Sequence, residues 1–299
     1  MNSLPPDSPA SPAPFSAGVV RLTGRDATAL LQNISSQRFD DLEPGHVRLA
    51  VFCDFRGRLL HRATVARTSD QALWMVRGDE AGASLAAHLE HHVFREDVRI
   101  DDQSRAWRVI PHFDAKPTEQ VVESGSQLAR VAAPRGPVYE LMPIEEAAGR
   151  FDDPAIALGW ESRRIRTGWG RQGHEIAEAF NPFEVGLGHA VHLDKGCYTG
   201  QEVLMRLVTY RSVRRRLVTI GGHGMPTVPG EVRGADDRPV GRLTSAVNEA
   251  DGWIALAVLN HEACEPGRAV TVEGAGEARV VEVFPFAQPV GRSLQFKDT

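Results

Sequence analysis

From Leu217 onward the sequence breaks into five short apolar runs: Leu217–Ile220, Val240–Val247, Trp253–Leu259, Ala269–Glu273 and Ala278–Phe284. Gly, Pro or Asp cuts off each one. Evenly spaced short runs with turn residues between them predict a small all-β unit, a barrel or sandwich, as the last third of the chain. The first hundred residues read differently. Val19–Leu22, His46–Cys53, Leu59–Ala66 and Ala72–Val76 have strand composition. Ala27, Leu30, Leu31 and Ile34, and later Leu85, Leu89 and Val93, recur at helical spacing. Strand–helix–strand–strand–helix order predicts an α+β unit with an antiparallel sheet. With 299 residues, two or three units sharing a large core are expected.

The boundaries follow from texture. Residues 1–17 carry five prolines and no Lys or Arg, and read as a disordered lead-in rather than a signal or transit peptide. An N-terminal α+β domain is expected over 18–110, a middle α+β domain over 111–212, and the β-barrel over 213–299. Residues 111–137, rich in Pro, Ser and Gly, read as a connecting segment. The longest apolar run, Trp253–Leu259, falls far short of the ~18 residues of a membrane span. Three cysteines without a CxxC pair argue against a disulfide framework or zinc ribbon and point to a reduced cytoplasm. A net charge of -5 excludes a surface that grips nucleic acid throughout, while leaving room for a local basic patch.

Two motif matches are set aside. Gly168-Trp169-Gly170-Arg171-Gln172-Gly173 spells GxGxxG, but the residues before it are too charged for a central strand and Asn181-Pro182 interrupts the segment after it, so it reads as a flexible glycine loop. His88-Leu89-Glu90-His91-His92 matches neither HExxH nor HxxEH, and no metal site is expected.

Lys195-Gly196-Cys197-Tyr198-Thr199-Gly200-Gln201-Glu202 carries more. Thr199-x-x-Glu202 has the form of a capping box, and Val203, Leu204, Leu207 and Val208 lie beyond it on one helical face, so a helix is expected from about Thr199. Thr23-x-x-Asp26 predicts a similar cap on the first helix. Cys197 then lies just ahead of a helix N-terminus and two residues after Lys195, both of which favour a thiolate. The same residues read equally as a plain cap and a small packed side chain. Between Lys195 and Arg216 stand six basic residues and one acid, a stripe suited to an anionic partner, either RNA phosphate or the carboxylates of a small ligand. Tyr198, Phe183 and Trp169 offer flat faces for a heteroaromatic ring, or core.

The segment Lys195–Glu202 with Arg206 beyond it resembles the signature of the YgfZ-type folate-binding proteins, relatives of the aminomethyltransferase (T protein) of the glycine cleavage system. Further blocks are similar to that family: Val20–Ala27 with Leu30-Leu31-Gln32, Gly57–Leu60, Arg164–Gly168, Asn181–Leu187 and Val240–Ser245. The resemblance implies a three-domain aminomethyltransferase-like ring around a central cavity that holds tetrahydrofolate. It implies a role in maintaining iron–sulfur enzymes, including those that methylthiolate tRNA, with iron–sulfur enzymes or assembly proteins as partners. On it, Cys197 is a reactive thiol with Lys195 beside it. Glu184 accepts the paired donors of the pterin edge, and Trp169, Tyr198, Gln201, Glu202, Arg206 and Arg211 complete the cofactor site. Arg211–Arg216 offer a tRNA contact. Two departures stand out. T proteins carry an acidic pair where this chain has Leu60-His61-Arg62, and relatives commonly have Glu where this chain has Arg166. A folate-dependent one-carbon transferase and an RNA-contacting module are the alternatives.

Overall fold

In a computed structural model the chain is described over residues 18–68, 71–115, 121–124, 127–132, 136–147, 149, 153–291 and 296. The expected lead-in, residues 1–17, lies outside them. The first unit is an antiparallel five-stranded sheet of β1 (Gly18–Thr23), β2 (Val47–Cys53), β3 (Leu59–Arg67), β4 (Leu73–Arg77) and β5 (Arg99–Asp102), in the order β2-β3-β4-β1-β5. Helices α1 (Ala27–Ile34) and α2 (Ala83–Glu90) cover one face. Strand alternation explains how one sheet serves two cores. Leu73 and Met75 of β4 join the core under the helices, whereas Trp74 and Val76 face the opposite core.

A second, four-stranded sheet has the order β6-β9-β8-β7, from β6 (Trp107–His112), β7 (Val121–Ser124), β8 (Gln127–Ala132) and β9 (Val138–Pro143). The segment 111–137, expected to be a connection, therefore contains two strands. Their 6 residues or fewer and the Pro, Ser and Gly around them conceal them in sequence. The short helix α3 (Ile144–Ala147) and α4 (Pro154–Arg166) come next. Asp153 caps α4, accepting from the Ala155 N–H at 2.9 Å with proline at the first helical position. After a long loop comes α5 (Gln201–Thr209).

The C-terminal unit is a closed six-stranded barrel of β10 (Arg215–Gly222), β11 (Gly230–Arg233), β12 (Pro239–Glu249), β13 (Gly252–Asn260), β14 (Ala269–Val272) and β15 (Gly276–Val283), ordered β10-β13-β12-β11-β14-β15. The unbroken apolar run of β13 is buried on both sides. Trp253, Ala255, Ala257 and Leu259 fill the barrel, while Ile254, Leu256 and Val258 join a core shared with both sheets and α5. That shared core holds the three units together. The barrel's sixth strand, β11, is the one the sequence hides, since Gly-Glu-Val-Arg contains a single core residue, Val232.

Candidate functional site

The cysteine loop is clamped from two sides. Gln32 of α1 donates through Nε2 to the Lys195 carbonyl at 2.9 Å and accepts at Oε1 from the Phe39 N–H at 2.7 Å. In return the Lys195 ammonium donates to the Gln32 carbonyl and lies 4.8 Å over the Tyr198 ring. Lys195 is buried, and that burial pulls its pKa down to about 8. Arg38 donates to the Asp194 carbonyl at 3.0 Å, and Gln201 Nε2 to the Leu193 carbonyl at 3.1 Å. On the other side the loop meets the β2–β3 turn. Gly200 has φ +82, and a Cβ there would lie 2.5 Å from the Asp54 carbonyl oxygen, so this position needs glycine for both conformation and space. Held this way, the Cys197 thiol is exposed. Cys53 is buried beside Tyr198, and burial drives its thiol up. Cys264 is pushed up to about 11, chiefly by burial.

Neither expected capping box forms. Gly200, left-handed, is the N-cap of α5, and Glu202 instead pairs with Arg206 at 2.5 Å on the exposed face. Cys197 thus stands four residues ahead of the first helical residue. At α1 the N-cap is Asp26, whose carboxylate accepts from the Asp97 N–H rather than from its own helix. Tyr198 is buried, its hydroxyl without a partner among the described residues.

Glu184 occupies a second cluster. Its carboxylate takes a bidentate grip from Arg215 at 2.7 and 2.9 Å and the Asn181 N–H at 3.0 Å, with Arg58 at 3.9 Å. Arg215 also donates to the Ala179 carbonyl, and its guanidinium lies over Phe180. This locks the Phe180–Val185 loop onto the start of the barrel and fills the acceptor positions expected to meet a pterin. Of the basic stripe, Arg216 lies 4.1 Å over Phe286, so Arg211 and Arg214 are its freely exposed members.

The third cluster lies where both sheets meet α4 and the glycine loop. Arg62, only 2% exposed, donates to Asp79 at 2.8 Å and to the Gly170 carbonyl at 2.7 Å, and stacks 4.0 Å over Trp169. A Cβ on Gly136 would sit 2.5 Å from the same indole, whose N–H bonds Tyr139. Trp169, expected to stack a ligand ring, is therefore packed by Arg62 and Gly136, and the glycine loop is a close-packed junction rather than a flexible one. Arg164 binds Glu161 at 2.8 and 2.5 Å, Glu175 at 3.2 Å and the Trp169 carbonyl at 2.7 Å. Burial pushes the Glu175 carboxyl up, but Arg164 and the Thr244 and Ser245 hydroxyls of β12 outweigh it and hold it below the ordinary range. Arg166 is elsewhere, on the surface, paired with Glu249 at 2.6 Å.

Two neighbouring acceptors in this third cluster stay unsatisfied. Asp79 Oδ2 accepts from Arg62 and from the Gln172 N–H at 2.9 Å, while Asp79 Oδ1 and Gln172 Oε1 are buried with no partner among the described residues. Sequence reasoning missed both, since a single acid after a strand carries no motif. The predicted site residues thus fall into three clusters: Lys195–Gln201 with α5, Glu184 with Arg215, and Trp169 with Arg62. Two cavities of about 590 Å³ each touch none of them. One lies between β6 and α4, lined by Phe113, Trp160 and Arg163, and the other between α4 and the barrel, lined by Arg166, His223 and Glu249. Among the described residues no three or more His, Cys, Asp or Glu side chains come together as metal ligands.

Comparison with known proteins agrees with this architecture. Residues 16–111 match the GCVT N-terminal domain, and residues 214–286 match the CAF17 C-terminal beta-barrel domain. A putative chloroplastic transferase of Arabidopsis thaliana is 33% identical over 302 residues, covering 90% of this chain and 69% of that protein. The tRNA-modifying protein YgfZ of Cronobacter sakazakii is 25% identical over 94% of this chain and 96% of its own. A mitochondrial iron–sulfur cluster assembly factor IBA57 homologue of Mycosarcoma maydis is 29% identical over 71% of this chain, which spans 57% of that relative. The crystal structure of glycine cleavage system aminomethyltransferase T from Bartonella henselae superposes with a TM-score of 0.71 at 17% identity, covering 94% of this chain and 86% of that one. With both terminal domains matched and the relatives aligned along most of its length, the chain belongs to the YgfZ and IBA57 family of aminomethyltransferase-like proteins.

Proposed function

We propose that this chain is an accessory factor that binds reduced folate and serves iron–sulfur cluster assembly or repair, including for enzymes that modify tRNA, with Cys197 as its working thiol. The observation that carries the proposal is Cys197 itself, an exposed thiol on a loop clamped to both α1 and the β2–β3 turn. A thiol packed only for volume is buried, as Cys53 is. Lys195 acts on this reading as a positioning residue, fixing the loop through Gln32. The names of the YgfZ and IBA57 relatives support the assignment to tRNA modification and cluster assembly. The proposed compartment is the cytosol, although the two eukaryotic relatives are named as organellar. No helix among the described residues is long and apolar enough to cross a membrane.

Tetrahydrofolate fits the third cluster in its donor chemistry. An unpaired buried acceptor costs about 1–3 kcal/mol, and Asp79 Oδ1 and Gln172 Oε1 are two such atoms, on residues joined by the Gln172 N–H to Asp79 Oδ2 hydrogen bond. The amino-pyrimidine edge of a pterin presents adjacent N–H donors that such a pair accepts. Asp79 and Gln172 are therefore the residues assigned to that edge, in place of Glu184 and Trp169, whose polar atoms and ring are already engaged. Bound reduced folate would supply a carrier for one-carbon units. Aminomethyl transfer is disfavoured, because the resemblance sets Leu60-His61-Arg62 against the transferases' acidic pair, and no carboxylate stands in that stretch. The RNA alternative rests on Arg211 and Arg214 alone.

The test is anaerobic calorimetric titration with tetrahydrofolate of wild type, Gln172→Met and Glu184→Gln. Saturable binding, weakened about tenfold by Gln172→Met and little changed by Glu184→Gln, is expected. Absence of binding by wild type overturns the folate assignment. Full support of iron–sulfur enzyme activity by Cys197→Ser overturns the thiol.

A further inference from the structure

We infer that the β2–β3 turn and the outer face of α5 form a docking surface for an acidic iron–sulfur protein, anchored by Phe55, Tyr210 and Arg211. The identity of the partner rests on the proposed function, and the surface itself on packing, exposure and charge.

The turn and helix are one rigid body. Gly200 at the start of α5 abuts the Asp54 carbonyl, and a Cβ on Gly57 would lie 3.2 Å from Leu204. Asp54 Oδ1 accepts the N–H groups of Arg56 and Arg58, each at 2.8 Å, so the turn is fixed by its own side chain. Its tip, Phe55, is 71% exposed and belongs to no core cluster; the Arg56 guanidinium lies 5.0 Å from its ring. At the far end of the helix Tyr210 is 74% exposed, and Met205 is exposed between them. Cys197, also exposed, precedes Gly200 by three residues.

Arg211 supplies an independent sign. It stands just past the C-cap of α5 with φ +49, in the left-handed conformation that helices normally give to glycine at this position. The backbone there closes a Schellman cap, the Arg211 N–H donating to the Val208 carbonyl at 3.2 Å and the Ser212 N–H to the Leu207 carbonyl at 3.0 Å, while no carboxylate among the described residues pairs with the Arg211 guanidinium. What the cap does not use is the guanidinium, an unpaired cation fixed at the end of α5 and open to a partner.

Charge selects the partner. Arg56, Arg206, Arg211 and Arg214 are exposed here against Glu202, which already pairs with Arg206. In a chain of net charge -5 this is a local cationic face, complementary to an acidic one. Three unpaired cations are few for gripping RNA, where tight binding uses about 6–10 phosphate contacts. Phe, Tyr, Met and Arg together are the composition of a protein–protein interface core.

The test is photocrosslinking of the purified full chain, carrying Phe55→p-benzoylphenylalanine or Tyr210→p-benzoylphenylalanine, to a purified acidic [2Fe–2S] ferredoxin as probe. Adducts from both positions are expected, falling about tenfold with Arg211→Glu and unchanged with Arg238→Glu, an exposed arginine of the barrel. Arg211→Gly keeps the backbone in its preferred conformation, melts no lower than wild type, and loses adduct in the same way. No adduct, or adduct indifferent to Arg211→Glu, overturns the inference. Adduct to bulk tRNA in place of ferredoxin overturns it in favour of nucleic acid. Since this readout uses neither folate nor Cys197, its failure and failure of the proposed function are separate results.

Discussion

His61 and His88 make the first domain acid-labile, by an amount the structure allows to be worked out. His61 on β3 and His88 on α2 meet with ring centroids 5.0 Å apart and planes tilted by 60°, and His88 meets His92 at 4.8 Å. Burial, with neighbouring imidazoles and, for His61, Arg77, depresses His61 to about 3 and His88 to about 4. Both therefore stay neutral in the fold at pH 5, whereas unfolded histidine near 6.5 takes up almost a full proton. The unfolded state then binds more protons than the native one below about pH 6.5, so stability falls as pH falls through that value. Between pH 7 and pH 5 each ring would cost about 2 kcal/mol if wholly withheld from water, and partial exposure brings the pair to about 2–3 kcal/mol. Urea unfolding at pH 7, 6 and 5 reads this directly, at constant m. His61→Asn combined with His88→Phe, the latter keeping an aromatic against Phe52, should remove that loss. If the double variant loses as much stability between pH 7 and 5 as wild type does, the rings are not held neutral and the reasoning fails.

Two further substitutions test the architecture. Arg164→Met strands Glu161 and Glu175 with side chains 5% and 0% exposed, and should cost about 3–5 kcal/mol in urea unfolding, the usual result of breaking one partner out of a buried ion pair. Gly200→Ala forces a Cβ to 2.5 Å from the Asp54 carbonyl at φ +82 and should cost about 2–4 kcal/mol. Gly196→Ala, at φ +99 with nothing within 4 Å of the new Cβ, should cost only about 1 kcal/mol; equal losses at the two glycines would refute the packed contact between loop and turn.

How much of the fold is legible in the sequence depends on how local each determinant is. Strands β1 to β4 and five of the barrel strands are legible because their apolar residues are contiguous or alternate within one short run. Strand β11 is not, because Val232 alone anchors it and its pairing with β12 is set across the barrel. The capping boxes mislead for a related reason. Thr199 and Glu202 have the right spacing, but Gly200 takes the N-cap in a conformation open to glycine, and Glu202 is drawn to Arg206. At the site, the eight residues around Cys197 are legible as a block. Their support from Gln32, 163 residues away, is not. Arg62, Asp79 and Gln172 come from β3, from the residues after β4 and from the glycine loop, so their meeting is a product of tertiary structure alone.

On the proposed reading, that meeting is where the chain would hold a folate. Arg62 is a permanent cation there, spread over Trp169 and tied to Asp79 and Gly170. The cation pairs with one carboxylate oxygen of the buried Asp79 and leaves the other without a partner among the described residues, on a residue bonded to Gln172. On the same reading the reacting group is a thiol, and of the three only Cys197 is exposed. Holding and reacting would then be divided between a buried junction of the two sheets and a clamped surface loop. On the proposed reading this division is what separates an accessory factor from an aminomethyltransferase built on the same frame: the ligand is kept at the junction, and the client protein meets the thiol from outside.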